Sequence, residues 1–300
     1  MRRRTSHIRI NRPILSGRNL LIPERNTYRK AFDSLEECVS CACAEPVLSD
    51  GHRASRNHPS TEEWDHNANF DHTVYQTNHG WPEGVQRMRA IAERIYNRIA
   101  PKVTVFQNTE HSVVGAMVDV ATFLAGEPEC MMDFVTTEVK GIRHVDILVD
   151  LWSHFKIPGS AIINKGAAVL ACIDALEHAG CTVSVTVGFS SAYEQTLVEF
   201  RVAVKAPGVP MDTDRLAFVL AHPAMLRRIL FACIENCPPP HIAKEMTNNY
   251  YGFGQNLLRD TDVVFFKNTD DGECLTEESA TAQALSVLHE HGLLDDANTC

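Results

Sequence analysis

Residues 144–205 constrain this chain more than any other stretch, because the hydrophobic period changes there several times in an order that few architectures accept. Val145-Asp-Ile-Leu-Val-Asp150 is a short apolar run suited to a central strand covered on both faces, with a carboxylate at its C-terminal end. From about Ser160 to Ala179 nearly every side chain is apolar or small, so the segment reads as a helix buried around most of its girth and stopped by Gly180. Val183, Val185, Val187 and Phe189 then alternate with Thr182, Ser184 and Thr186, the period of a strand with one apolar face. Val198, Phe200, Val202 and Val204 alternate again with Glu199, Arg201, Ala203 and Lys205. The link through Ser190 to Tyr193 is too short for a parallel crossover, so these two strands form an antiparallel hairpin. The unit is β-α-β-β, its last strand placed at an edge.

Around this unit the chain supplies enough apolar residues, 44% of 300, to fill one large core or two modest ones. The expected architecture is a three-layer α/β domain, a Rossmann-type, mostly parallel sheet with an antiparallel edge strand, preceded by a mainly helical elaboration. Residues 1–30 form a basic arm, 31–130 a helical and loop region, and 131–300 the α/β domain. No apolar run approaches the roughly 18 residues needed to cross a bilayer, and no secretory leader opens the chain. A soluble, cytoplasmic protein with no membrane partner follows. Ten cysteines, some of them in apolar runs such as Cys172 and Cys233, point to reduced thiols in an intracellular setting.

The net charge of −10 is unevenly placed. The first thirty residues hold nine Lys or Arg against the single acid Glu24, whereas the chain from Asp260 to Asp296 is acidic. Arg2, Arg3, Arg4, Arg9 and Arg12 could engage nucleic acid, or the arm could dock on acidic protein, or serve targeting. Arg227-Arg228 could grip phosphate, although a solvated helix face is the plainer reading of that pair.

In chain order, Tyr28 to Cys43 carries a helical pattern containing Cys38, Cys41 and Cys43, a thiol cluster that offers zinc a half-site, with His52, His58, His66 and His72 following. Residues 46–78 read as a long polar loop. Pro82 opens a helix to about Ile99, and Val103 to Phe106 and Met131 to Val135 read as strands, the latter pairing beside 145–150. Helices follow at Met211–Leu220 and Ala224–Glu235, interrupted by His222-Pro223, and Pro238-Pro-Pro240 ends that segment. Asn248 to Gly254 reads as a packed aromatic loop, Val263 to Phe266 as the last strand, and Ala282 to Leu288 lies on a final helix.

An apolar strand ending in Asp150, a buried helix, an antiparallel hairpin and a later strand running into Thr269-Asp-Asp-Gly-Glu273 together resemble a von Willebrand factor A-like domain, over about residues 131–294. The resemblance implies a Rossmann-type sheet with a divalent metal, Mg²⁺ among the candidates, at the C-terminal strand ends. The family's motif is D-x-S-x-S. Here the sequence reads Asp150-Leu-Trp-Ser153, so the ligands implied are reduced to Asp150, Ser153 and Asp270 or Asp271, and a metal-free degenerate site is the expectation. Gly80-Trp-Pro-Glu-Gly84, Phe123 to Pro128, Lys165-Gly-Ala-Ala168 and Leu220 to Arg228 are also similar to an uncharacterised bacteriophage protein family, which implies a viral source and carries no activity.

No G-x-S-x-G, P-loop, H-E-x-x-H or G-x-G-x-x-G motif occurs. The function expected is therefore a non-catalytic binding or adaptor protein that needs no cofactor and recognises a macromolecular partner, a protein in the first place. The alternative is a divalent-metal-dependent protein that acts on or binds nucleic acid.

Overall fold

The computed structural model describes residues 26–48, 53–103, 108–114, 117–135, 143–154, 156–210, 212–255, 257, 263–267 and 274–294. Its elements run β1 (Asn26–Phe32), α1 (Leu35–Cys43), α2 (Ala54–Asn57), α3 (Glu62–Asp65), α4 (Phe70–His79), α5 (Pro82–Ile99), β2 (Asn108–Ser112), β3 (Met117–Val118), α6 (Val120–Leu124), β4 (Met131–Val135), β5 (His144–Asp150), α7 (Gly159–His178), β6 (Thr182–Tyr193), β7 (Thr196–Lys205), α8 (Thr213–Ala221), a π-helix (Met225–Leu230), α9 (Phe231–Asn236), α10 (Pro240–Asn248), β8 (Phe253–Gln255), β9 (Val264–Phe266) and α11 (Glu277–Glu290). A six-stranded sheet flanked by helices organises them, in the order β1-β7-β6-β5-β9, with β8 added to the far end of β6.

The central unit forms in the expected order, with one correction: Ser190 to Tyr193 belong to β6, paired with β7, and the turn is Glu194-Gln195. β5 pairs in parallel with β6 and with β9, and β6 turns back antiparallel into β7. β1 runs parallel to β7 and outside it, so the antiparallel edge strand of this α/β sheet is β1, and β7 lies one strand further in. The helical reading of Tyr28 to Cys43 holds only from Leu35. Upstream, Tyr28, Lys30 and Phe32 fall on the face that carries Val198, Phe200 and Val202, and Tyr28 and Phe32 rest on the Phe200 ring.

One face of the sheet, built from Val145, Ile147, Val149, Val183, Val185, Val187, Phe189, Phe200 and Val202, enters the main core with α5, α7, α8 and α11. Gly166 sets the spacing of α7 and α8, since a Cβ there would lie 2.9 Å from the Ala221 Cβ. On the reverse face Leu148, Phe265 and Leu257 make a separate small cluster, beside a polar row in which His144 and Ser184 both hydrogen-bond Asp146. By length and composition α7 could cross a membrane, yet 78% of its apolar window is buried against the rest of the chain.

Other expectations are corrected. β4 does not join the main sheet: it pairs antiparallel with β2 and β3 in a three-stranded sheet of its own. The polar stretch 46–78 contains three helices, α2, α3 and α4, whose N-caps Thr61 and Asn69 accept backbone N–H groups. The proline run does end the preceding helix, α9 stopping at Asn236, and its last member, Pro240, also opens α10, a position where its missing N–H costs nothing. From the N-terminal part, β1 extends the main sheet and α5 packs along α7. Val103 pairs with Leu294 as an isolated bridge, while Thr104 to Phe106 lie outside the described residues.

Candidate functional site

The C-terminal ends of parallel strands are where open α/β sheets place ligands, and here that position belongs to Asp150. Its side chain is fully buried, one carboxylate oxygen accepts the Trp152 N–H at 2.9 Å, and the Lys165 ammonium donates to its backbone carbonyl. Lys165 is the only charged residue between Ala161 and Ile173, and it too is buried. A lone lysine in an apolar helix was the signal available in the sequence, because a buried ammonium must find acceptors. Ser153 is also buried, and Trp152 is clamped by Gly254, where a Cβ would come within 2.2 Å of the indole nitrogen. The structure therefore brings Asp150 and Ser153 near one strand end with a protein cation beside them. Asp270 and Asp271 lie outside the described residues. Two surface grooves, of about 510 Å³ and about 320 Å³, are lined by none of Asp150, Ser153 and Lys165.

Behind this strand end the π-helix delivers two arginines into the interior. The solvated-face reading of Arg227 and Arg228 is corrected: both are buried, with 2% and 1% exposure, and neither can reach a phosphate backbone. The extra residue in a π-turn rotates successive side chains relative to an α-helix, and both guanidinium groups turn onto backbone carbonyls. Arg227 donates to Trp64 O and to His154 O, and burial lowers its pKa to about 10, so it stays charged at neutral pH. Arg228 donates twice to Asp65, at 2.9 and 2.5 Å, and to the carbonyls of Ser55 and His58 at 2.9 Å each, while the Trp64 ring lies 4.4 Å below it.

The same segment is tied down a second time by Glu235, which accepts from Ser55 Oγ at 2.7 Å and from Tyr251 OH at 2.6 Å. The Tyr251 hydroxyl in turn accepts the Ala54 N–H at 2.8 Å, and burial, with Glu235 beside it, pushes its pKa up. These groups are the charges and hydroxyls one would recruit for acid–base work, and each is spent on holding residues 53–68 in place. His222 sits between the rings of Trp81 and Phe218 and faces His66 at 5.5 Å. Burial, then repulsion from His66 and His72, holds its pKa down to about 3. It is a neutral core histidine whose Nδ1 accepts the Ala224 N–H.

The three thiols read as a zinc half-site separate. Cys41 forms a disulfide with Cys237, Cys38 Sγ lies 3.8 Å from Cys233 Sγ, and Cys43 is exposed. The expectation that all thiols are reduced is thus corrected at one pair. His58 stacks on Trp64, His66 packs against Gly159, His72 is exposed, and His52 lies outside the described residues. With Cys41 and Cys237 joined, no group of three or more His, Cys, Asp or Glu side chains among the described residues could hold a metal ion.

Charge reading also missed an apolar surface. Val113, Val114, Met117, Val118, Val120, Phe123 and Leu124, on β3, α6 and the turn before them, are all exposed, Val114 by 78% and Leu124 by 77%. Periodicity could have flagged it, since this stretch has apolar residues without a helix or strand long enough to hide them. Arg2, Arg3, Arg4, Arg9 and Arg12 lie outside the described residues.

A family model described as "Domain of unknown function (DUF7192)" matches residues 6–295, and the chain belongs to that family. No curated protein matches it, and no solved structure does.

Proposed function

We propose that this member of the DUF7192 family is a non-catalytic binding protein that recognises a protein partner, through the apolar surface formed by β3, α6 and the turn before β3. The single observation that carries the proposal is that surface: seven large apolar side chains exposed within twelve residues. Large apolar side chains exposed this close together on an otherwise acidic protein cost solubility unless something covers them, and exposed apolar surface of this kind marks interaction sites. Asp150, Lys165, Arg227, Arg228 and Glu235 support the non-catalytic half, since their hydrogen bonds run to the protein's own backbone and side chains.

The von Willebrand A-like resemblance belongs to the same reading. Numbered from β5 along the main path, with β8 left out because it pairs only with the far end of β6, the order β7-β6-β5-β9 is 3-2-1-4, as in doubly wound sheets. On this reading Lys165 supplies, next to Asp150, the positive charge that a divalent ion brings in that fold, and the site is degenerate. A phage-encoded, cytoplasmic adaptor with no cofactor at the Asp150 strand end fits these features.

The test is site-specific photocrosslinking in cells from Val114 and Phe123, with Thr27 on the exposed sheet edge as control. A discrete crosslinked protein that appears from both patch positions, is absent from Thr27, and is lost when Leu124→Glu is added supports the proposal. Crosslinks only to a second copy of this chain, or none, refute a heterologous partner. Crosslinks to nucleic acid would favour the alternative, a divalent-metal-dependent protein that binds or acts on nucleic acid through Asp150, Ser153, Asp271 and the arm from Arg2 to Lys30.

A further inference from the structure

α1 and α9 are 195 residues apart in sequence, yet they lie against one another with two cysteines each on the facing sides: Cys38-x-x-Cys41 on α1, and Cys233-x-x-x-Cys237 at the end of α9. Residues three and four apart share one helix face, so each helix presents its pair as a unit. Asn236 fixes the two units to each other, its side-chain amide donating to the carbonyls of Cys41, Ala42 and Ala44 at 2.9–3.0 Å.

We infer that Cys38, Cys41, Cys233 and Cys237 form a four-thiolate zinc site in the reduced protein, and that the Cys41–Cys237 disulfide is its oxidised, metal-free state. Zn–S bonds of about 2.3 Å in a tetrahedron set neighbouring sulfurs about 3.8 Å apart. The Cys38 and Cys233 sulfurs already stand at 3.8 Å. The Cys41 and Cys237 Cα atoms are 6.9 Å apart, at the far limit of a disulfide's reach.

Four thiolates around Zn²⁺ leave a net charge of −2. The Lys30 ammonium, 3.9 Å from Cys237 Sγ, is placed to offset part of it. Cys38 and Cys233 are fully buried, which suits a closed structural site.

The interconversion balances simply. A dithiol reductant transfers two electrons and two protons to Cys41 and Cys237 and becomes a disulfide itself. Zn²⁺ then displaces four thiol protons to solvent.

The experiment uses full-length protein, reduced with a phosphine under anaerobic conditions, stripped of metal and titrated with Co²⁺. The expected result is one cobalt per chain, with sulfur-to-cobalt charge-transfer bands and the strong visible absorption of a tetrahedral thiolate site, displaced by Zn²⁺. Cys43→Ser leaves this spectrum unchanged and Cys38→Ser/Cys233→Ser removes it. Mass-spectrometric mapping of alkylation on the reduced wild-type protein should show the partly exposed Cys41 and Cys237 protected by the metal while Cys43 still reacts. That measurement decides the matter even if the double variant does not fold. No thiolate bands in the reduced wild type, or alkylation of Cys41 and Cys237 equally fast with and without cobalt, overturns the inference.

Discussion

Replacing Arg228 by methionine isolates what the buried guanidinium does. The side chain is 1% exposed and its ion-pair partner Asp65 0%, and every donor of the guanidinium fork is directed at an acceptor: Asp65 through Nε and Nη2, Ala54 O and Ser55 O through Nη1, His58 O and Ser60 Oγ through Nη2. Methionine refills most of the aliphatic volume, so the cost is electrostatic. It strands one buried carboxylate, for which breaking one side of a buried pair costs about 3–5 kcal/mol. It also leaves buried carbonyls without donors, at about 1–3 kcal/mol for each that water does not reach. With one carbonyl left stranded the loss is about 4–8 kcal/mol, a large part of the roughly 5–15 kcal/mol that holds a domain together. Urea unfolding followed by circular dichroism should show a midpoint lowered by at least about 1 M, with slopes near 3 kcal/mol/M for a chain of this size. Cleavage between residues 53 and 68 should appear first in limited proteolysis, because those carbonyls belong to that segment. Asp65→Leu in the Arg228→Met background should restore part of the loss, since an apolar pair strands no charge. A loss below about 1 kcal/mol in Arg228→Met would refute this account, and loss of nucleic-acid binding at unchanged stability would return the arginine to the surface role its sequence suggests.

The remaining expectations concern single groups. The folded His222 has a pKa of about 3 against an ordinary 6.5, so between these values the unfolded chain binds a proton that the folded chain refuses. Stability therefore falls as the pH drops from about 6.5 towards 3, by up to about 5 kcal/mol over the full window, and His222→Phe should flatten that slope in pH-dependent unfolding. Gly188→Ala would put a Cβ 2.3 Å from the Phe200 carbonyl oxygen in the adjoining strand. It should cost about 1–3 kcal/mol or more by forcing β6 from β7, and an unchanged melting temperature would show that the strands yield freely. Tyr251→Phe removes the hydroxyl that bridges Ala54 N–H and Glu235. It should cost about 1–3 kcal/mol and speed amide exchange at Ala54, and unchanged exchange there would contradict the bridge.

The unit from β5 to β7 was legible in the sequence because its information is local. A strand with a two-residue period and a helix apolar on all sides declare themselves from neighbours in the chain, and the hairpin follows from the short link between β6 and β7. Helix starts and breaks were legible for the same reason: Pro82 and His222-Pro223 act on the turn they occupy. Asp150 at a strand end was readable as a position but not as a chemistry, because its neighbour Lys165 comes from the following helix.

What the tertiary structure decided are the features whose partners lie far along the chain. β1 looks too basic for a strand and exists because β7 offers its edge across some 170 positions. Residues 46–78 have the composition of a loop, and their helices are pinned by Arg228, Glu235 and Tyr251. Arg227 and Arg228 carry the residue types of a surface and occupy the interior, since a guanidinium can be buried wherever enough carbonyls converge on it, and no count of charges along a sequence reveals that. Cys38-x-x-Cys41 is half a pattern by itself, and only the packing of α1 on α9 supplies Cys233 and Cys237 as the other half. Local periodicity determines which segments can be strands and helices. Which charge is buried, which thiols meet and which apolar residues stay uncovered depend on contacts that exist only once the chain has closed on itself.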